Sequence, residues 1–201
     1  MRHISLLLDW LTIEENIALI DEPHRSCCLQ MLSENRQLFE LTPGSTHNHQ
    51  TWPGGYIDHV TDGMNYGRHL YALDAAFGRP LLFSLSDALL VFFLHDLEKP
   101  WRIVVDEAGN VSNRPGLETK AQFKQFREAK LLEYGLVLTP EQYNGLTYVE
   151  GEIHDYSSQH RVMHELASLC HKMDNWSARG WYDYPKAEGD EWIGARRVRT
   201  I

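Results

Sequence analysis

Residues 87–99 read DALLVFFLHDLEK. Apolar side chains run unbroken from Ala88 to Leu94, so a helix here is apolar nearly all round. Such a helix belongs at the centre of a fold, packed on every side. Ser84 or Ser86 offers its N-cap, and Pro100 is expected to end it. His95 and Asp96 close the apolar run. An ionised carboxylate buried without a partner costs several kcal/mol or is forced neutral. A bound cation removes that cost, and imidazole nitrogen with carboxylate oxygen suits borderline and hard first-row divalent ions. The doublet alone reads more readily as a polar last turn that faces solvent. Lys99 follows Asp96 by one helical turn and could hold a phosphate as a point charge.

Outward from this segment, most of the chain has helical periodicity. Helices are expected over residues 4–20 and 26–40, and from Gly55 to about Ala76 with a stop at Gly78. The loop TPGSTHNHQTWPGG (42–55) is rich in histidine and should be ordered by something. WRIVVDEAGNVSN (101–113) places β-branched residues on both sides of Ala-Gly-Asn and suits a short hairpin. A charged helix is expected over 118–134, stopped by Gly135, and Thr139-Pro140-Glu141-Gln142 starts another. The last long helix is expected from about Ser157 to Ala178. The tail from Trp181 to Ile201 has no clear period. The expected class is all-α with at most one small β-hairpin.

That last helix adds to the candidate site. At about 100° per residue, His164, His171 and Asp174 fall within about 40° of His160. One face would then carry three histidines and an aspartate, beside an apolar stripe of Met163, Leu166, Cys170 and Met173. His59 follows a Gly-Gly turn, whose residues let two backbones approach closely.

The bulk numbers bound the function. The 201 residues are 43% hydrophobic and 23% charged, as in an ordinary globular protein, and one domain spanning 1–201 is the expectation. A formal charge of −9 argues against a dedicated nucleic-acid binder, and no strong nucleic-acid binding is expected. A small phosphate site remains compatible, because a metal and a few cations reverse the local field. Cys27, Cys28 and Cys170 form no C-x-x-C pattern and fit a reduced, cytoplasmic setting. Acidic residues break the apolar N-terminal run early, so no signal peptide or membrane span is expected. The sequence carries no signal for an oligomeric state.

Taken in order, His59, His95-Asp96 and Asp174 resemble the ligand set of the HD superfamily of metal-dependent phosphohydrolases. HNHQTWPGGYIDH (47–59) resembles the "HH-x-x-x-PGG-x-x-x-H" opening of one branch, which includes exoribonuclease-like and relaxase-associated HD proteins. HDLEKP (95–100) resembles the "HD-x-x-K" doublet, and KMDNWSAR (172–179), with Asp174 and Arg179, resembles the closing segment. The resemblance covers roughly residues 45–180 and implies a helical bundle with the metal at its centre. It implies His59, His95, Asp96 and Asp174 as ligands of one or two divalent ions, drawn from Mn, Co, Ni, Fe, Mg or Zn, with His154 as a further ligand. His49, His160 and His164 are candidates for a second ion. One departure stands out. The helical 5′-nucleotidase branch usually places a glutamate three residues after the doublet's aspartate, whereas this chain has Lys99 there and Glu98 beside it.

The resemblance implies hydrolysis of a phosphate ester, of a nucleotide or another small phosphorylated molecule. Asp96 and Lys99 are the expected catalytic residues, and His49, Lys99, Arg68 and Arg179 the expected contacts to the substrate. Arg68, on the His59 helix, is also readable as a surface cation. Two alternatives stand beside this reading: a 3′→5′ exonuclease-like phosphodiesterase, and a non-catalytic module that binds metal or nucleotide.

Overall fold

The computed structural model describes residues 9–46, 49–106, 108, 111–152 and 155–180. The fold is mostly helical with one two-stranded antiparallel sheet. In chain order the elements are α1 (Ile13–Ile17), α2 (His24–Glu34), α3 (Arg36–Leu41), α4 (Gly55–Ala76), α5 (Leu85–Leu94), α6 (Lys99–Arg102), β1 (Ile103–Val105), β2 (Val111–Asn113), α7 (Lys120–Glu133), α8 (Pro140–Tyr148) and α9 (Glu165–Gly180).

The central helix is α5. Every residue from Ala88 to Leu94 is buried, because α4, α8, α9 and α1 all pack on it. Burial of each of its large side chains contributes about 1.5–3 kcal/mol. Ser84, of the two candidate serines, is the cap: its Oγ accepts from the Asp87 N–H, and the Asp87 carboxylate accepts from the Ser84 N–H. Regular helix ends at Leu94, earlier than Pro100 predicts. Turns carry the chain through His95-Asp96 to α6, where Pro100 sits in the first turn, a position that needs no N–H donor.

The glycines of α4 let the neighbouring helices come close. A Cβ on Gly63 would lie 2.1 Å from the Phe92 ring of α5, and one on Gly67 would lie 2.4 Å from Met173 of α9. The two glycines are one helical turn apart, so they form a single shallow channel that both neighbours enter.

Several predicted boundaries move. The 26–40 helix is broken at Asn35, whose side chain bonds the Met31 carbonyl and the Tyr134 hydroxyl. Of the 4–20 segment, the described part is helical only over Ile13–Ile17, behind a Thr12–Glu15 capping box. The last helix begins at Glu165, not Ser157. Residues 155–164 form bends that close over Asn144, whose amide bonds the Val162 carbonyl and the His164 N–H. The tail from Trp181 lies outside the described residues. The hairpin forms as expected, with Ile103 opposite Asn113. The 118–134 and Thr139 helices also form, with Gly135 at φ 69° after α7. No helix among the described residues is long and apolar enough to cross a membrane.

Gly63→Ala tests the channel. The substitution should destabilise the protein by about 1–3 kcal/mol in urea unfolding, the usual cost of overpacking. Adding Phe92→Leu, which clears the ring, should recover part of that loss.

Candidate metal centre

The start of α4, the turn after α5 and the middle of α9 bring four candidate ligand side chains together. His59 sits one turn into α4, after the Pro-Gly-Gly turn. Gly54 holds φ 80° there, and a Cβ on Gly55 would lie 1.9 Å from the Gln50 carbonyl, so both positions require glycine. His95 and Asp96 follow the end of α5, and Asp174 lies in the middle of α9.

The donor atoms converge. His59 Nε2 lies 3.2 Å from His95 Nε2, 3.2 Å from Asp174 Oδ1 and 3.6 Å from Asp96 Oδ2. His95 Nε2 lies 3.0 Å from Asp96 Oδ2 and 3.5 Å from Asp174 Oδ1. All four donors lie within 4.8 Å of one another. Ions such as zinc bind these atoms at about 2.0–2.2 Å, so donors on adjacent corners sit roughly 3–3.5 Å apart. The spacing therefore fits a single ion among the four.

The chemistry of the donors points the same way. His95 Nδ1 donates to the Phe92 carbonyl at 2.6 Å. That bond fixes the ring and leaves Nε2 for the cluster, the usual second contact of a ligating histidine. His59 and His95 are fully enclosed, while the Asp174 side chain is 21% exposed and forms the open side. Burial disfavours a charged His95, yet the charge of Asp96 and the hydrogen bond to Asp174 outweigh it and push its pKa up to about 10. Burial also opposes ionisation of Asp174, but hydrogen bonds to His59 and His95 hold its carboxyl far below the usual range. His59 is pushed down, chiefly by burial. With no ion, a proton on His95 supplies the positive charge that the two carboxylates demand.

Of the other predicted residues, Lys99 and His49 reach the cluster and the rest of those described do not. Lys99 does not stand clear as a free phosphate contact. Its ammonium lies 2.5 Å from Asp96 Oδ2 and is nearly enclosed. His49 does reach the cluster, its ring centroid 5.0 Å from that of His59. Burial, with the charges of His59 and Lys99, pushes its pKa down to about 3. Arg68 turns away to bond the Asn65 side chain and the Asp9 carbonyl, because the N-terminal segment passes there. Arg179 is exposed at the end of α9. The three-histidine face also fails. His160 precedes the helix and is exposed, and His164 pairs with Glu141 at 2.7 Å. His171 Nδ1 donates to the Val149 carbonyl. Only Asp174 from that face enters the cluster. His154 lies outside the described residues.

Sequence reasoning missed the parts that hold the ligands in place. Gln50 Nε2 donates to the Ser177 carbonyl at 3.0 Å, and Ser177 Oγ donates to the His59 carbonyl at 3.0 Å. The Gln50 carbonyl also accepts from Gly44 N–H at 2.7 Å, which helps hold Gln50 at its positive φ of 42°. These bonds tie Gly44 and Gln50 of the histidine-rich segment to α9, and α9 to α4. Trp52 Nε1 donates to the buried Asp58 at 2.7 Å. Arg127 Nη1 donates to the His95 carbonyl at 2.6 Å. Gln50 and Ser177 fall at unspecified positions of the quoted segments and Arg127 lies outside them, so only their hydrogen-bond partners reveal all three.

No family model, curated protein or solved structure matches the chain. A mostly helical protein with a buried cluster of two histidines and two aspartates that could hold a metal ion is the class that fold and site define.

Metal binding should release protons, because a ligating imidazole must be neutral. With the His95 pKa raised to about 10, His95 carries a proton at pH 7 in the absence of metal. Titrating Mn²⁺ or Zn²⁺ in buffers of different ionisation enthalpy should show about one proton released per ion, and affinity should rise about tenfold per pH unit from 7 towards 10. Asp174→Ala should abolish binding in the same calorimetric titration.

Proposed function

We propose that the protein is a metal-dependent phosphohydrolase of the HD type, acting on a phosphate ester of a nucleotide or another small phosphorylated molecule. The observation that carries this reading is the convergence of His59, His95, Asp96 and Asp174 with the Lys99 ammonium set against Asp96. The order of the residues along the chain and the PGG turn before His59 support it. A divalent ion in such a site polarises a phosphoryl oxygen and acidifies water, which is the chemistry this reaction needs.

The chain's own residues would do the rest. Asp96 and Asp174 contribute two negative charges and Lys99 a positive one. A dication among them leaves an excess of positive charge, which suits a phosphate. Lys99 would stabilise the charge that grows on the phosphoryl oxygens. Asp96, held between His95 and Lys99, would orient water and accept its proton. His49 stays neutral beside the cluster and would donate or accept a hydrogen bond at the substrate. Arg127 and Ser177 hold the backbone of the two candidate ligand histidines.

The test is a screen of nucleotides and other phosphate esters with Mn²⁺, Co²⁺, Ni²⁺, Fe²⁺, Zn²⁺ and Mg²⁺. Activity should vanish with a chelator and with Asp96→Ala. Lys99→Ala should lower kcat/KM by about 10²–10³-fold while metal content stays near that of the wild type. A wild-type protein that is folded, metal-loaded and inactive on every ester would overturn the proposal.

A further inference from the structure

A groove of about 970 Å³ runs between the end of α4, the segment 79–83 that follows it and the start of α9. Phe83, Met163 and Leu169 line it, each buried or half-buried, so its floor is apolar. Phe83 is held in place from α4: the Tyr71 hydroxyl donates to its carbonyl at 3.1 Å, and the two rings meet edge-on at 5.9 Å. Leu82, between the half-buried Leu81 and Phe83, turns outward and is 85% exposed on the groove's edge. Asp74 of α4 lines the same groove, and Phe77, 76% exposed, stands one helical turn beyond it. Leu73 is exposed one turn before Phe77. A single exposed leucine is ordinary, but several large apolar side chains grouped beside an apolar groove mark an interaction face.

Charge selects the partner. The chain carries a formal charge of −9, and such an excess holds copies of one protein apart over most of their surface. The groove departs from that excess: Asp74, Glu141 and Glu165 are matched there by Arg79, Arg161 and Lys172. Asp74 pairs with Arg79 at 3.4 Å, and Glu141 with His164 at 2.7 Å. Both pairs are of the weak surface kind, which exchange partners at little cost. A strongly acidic or strongly basic partner would set like charges against half of this rim. A surface that meets its own copy needs the opposite: an apolar centre and a rim that carries both signs. The shape agrees, because a two-fold rotation sets the Phe77–Leu82 ridge of each copy into the groove of the other.

We propose that this groove and its apolar ridge form the face through which two copies of the chain associate as a two-fold dimer. Lys172 on the groove and Asp174 of the cluster are two residues apart on α9, about 200° around the helix. The contact therefore lies on the other side of α9 from the cluster's open side and leaves that side free.

Analytical ultracentrifugation of the full chain tests it. The wild type should pass from one chain mass towards two as its concentration rises from about 1 μM to 1 mM. Leu82→Asp places a carboxylate at the centre of the contact in both copies and should raise the dimer Kd about thirtyfold or more. Its side chain is exposed, so the circular dichroism spectrum and the urea midpoint should stay those of the wild type. Arg161→Glu leaves the rim of each copy with an excess of negative charge and should weaken the dimer, less so at high salt. Leu132→Asp, at an equally exposed leucine that does not line the groove, should leave the dimer intact. A wild type that keeps one chain mass over the whole range would overturn the proposal. So would a dimer that Leu82→Asp and Arg161→Glu both leave intact, or one that Leu132→Asp dissociates as readily as Leu82→Asp.

Discussion

Two carboxylates and two imidazoles meet inside a helical protein, with their donor atoms within 4.8 Å of one another. In such a setting, with Asp96 buried and only Asp174 partly open to solvent, the repulsion between the two is poorly screened by water, and something positive must stand between them. The structure answers in layers. The Lys99 ammonium lies against one oxygen of Asp96, and the raised proton affinity of His95 supplies a second positive charge. A divalent ion would replace that proton and use the same four atoms. The site is thus a balance of charge, in which removing any one member leaves another buried and unpaired.

The helices around the cluster hold it to that geometry. His95 and Asp96 are set by α5, which is fixed because α4, α8, α9 and α1 all pack on its apolar surface. Gly63 and Gly67 bring α4 close enough to α5 and α9 for His59 to reach His95 and Asp174. Ser177 and Gln50 then close the ring, linking α9 to the His59 backbone and to the loop that enters α4. The tight glycine contacts and the tight donor distances have the same origin: helices drawn together by apolar burial with little side-chain volume between them.

The readable parts were those that depend on local chemistry. An unbroken apolar run predicts a central helix, and α5 is one. Ser84, one of the two serines expected to cap α5, and Thr139 form capping boxes at helix starts. His95 and Asp96 stand out as residues that a buried helix end tolerates only with partners, and the resemblance to the HD superfamily adds His59, Asp174 and His49. The histidine face predicted for 157–178 failed for a physical reason. Helical phase was extended back through residues that bonds to Asn144 and Glu152 hold as bends, so His160 never joins the helix. Arg68 was drawn to the N-terminal segment by hydrogen bonds between residues more than fifty positions apart, which no local pattern encodes.

The sequence by itself determined the helical class, the hairpin, the central helix and the identity of the four clustered donors. The first three follow from the side chains' own preference for water or for an N-cap; the set of four donors follows from the order of residues that resembles the HD superfamily. Only the tertiary structure decided which histidines meet, that Lys99 binds Asp96 directly, and that Arg127 and Ser177 hold the backbones of His95 and His59. Those outcomes depend on which backbones approach and which hydrogen bonds form between distant segments. A run of apolar residues says that a helix is buried, but the atoms that bury it are supplied by the rest of the chain.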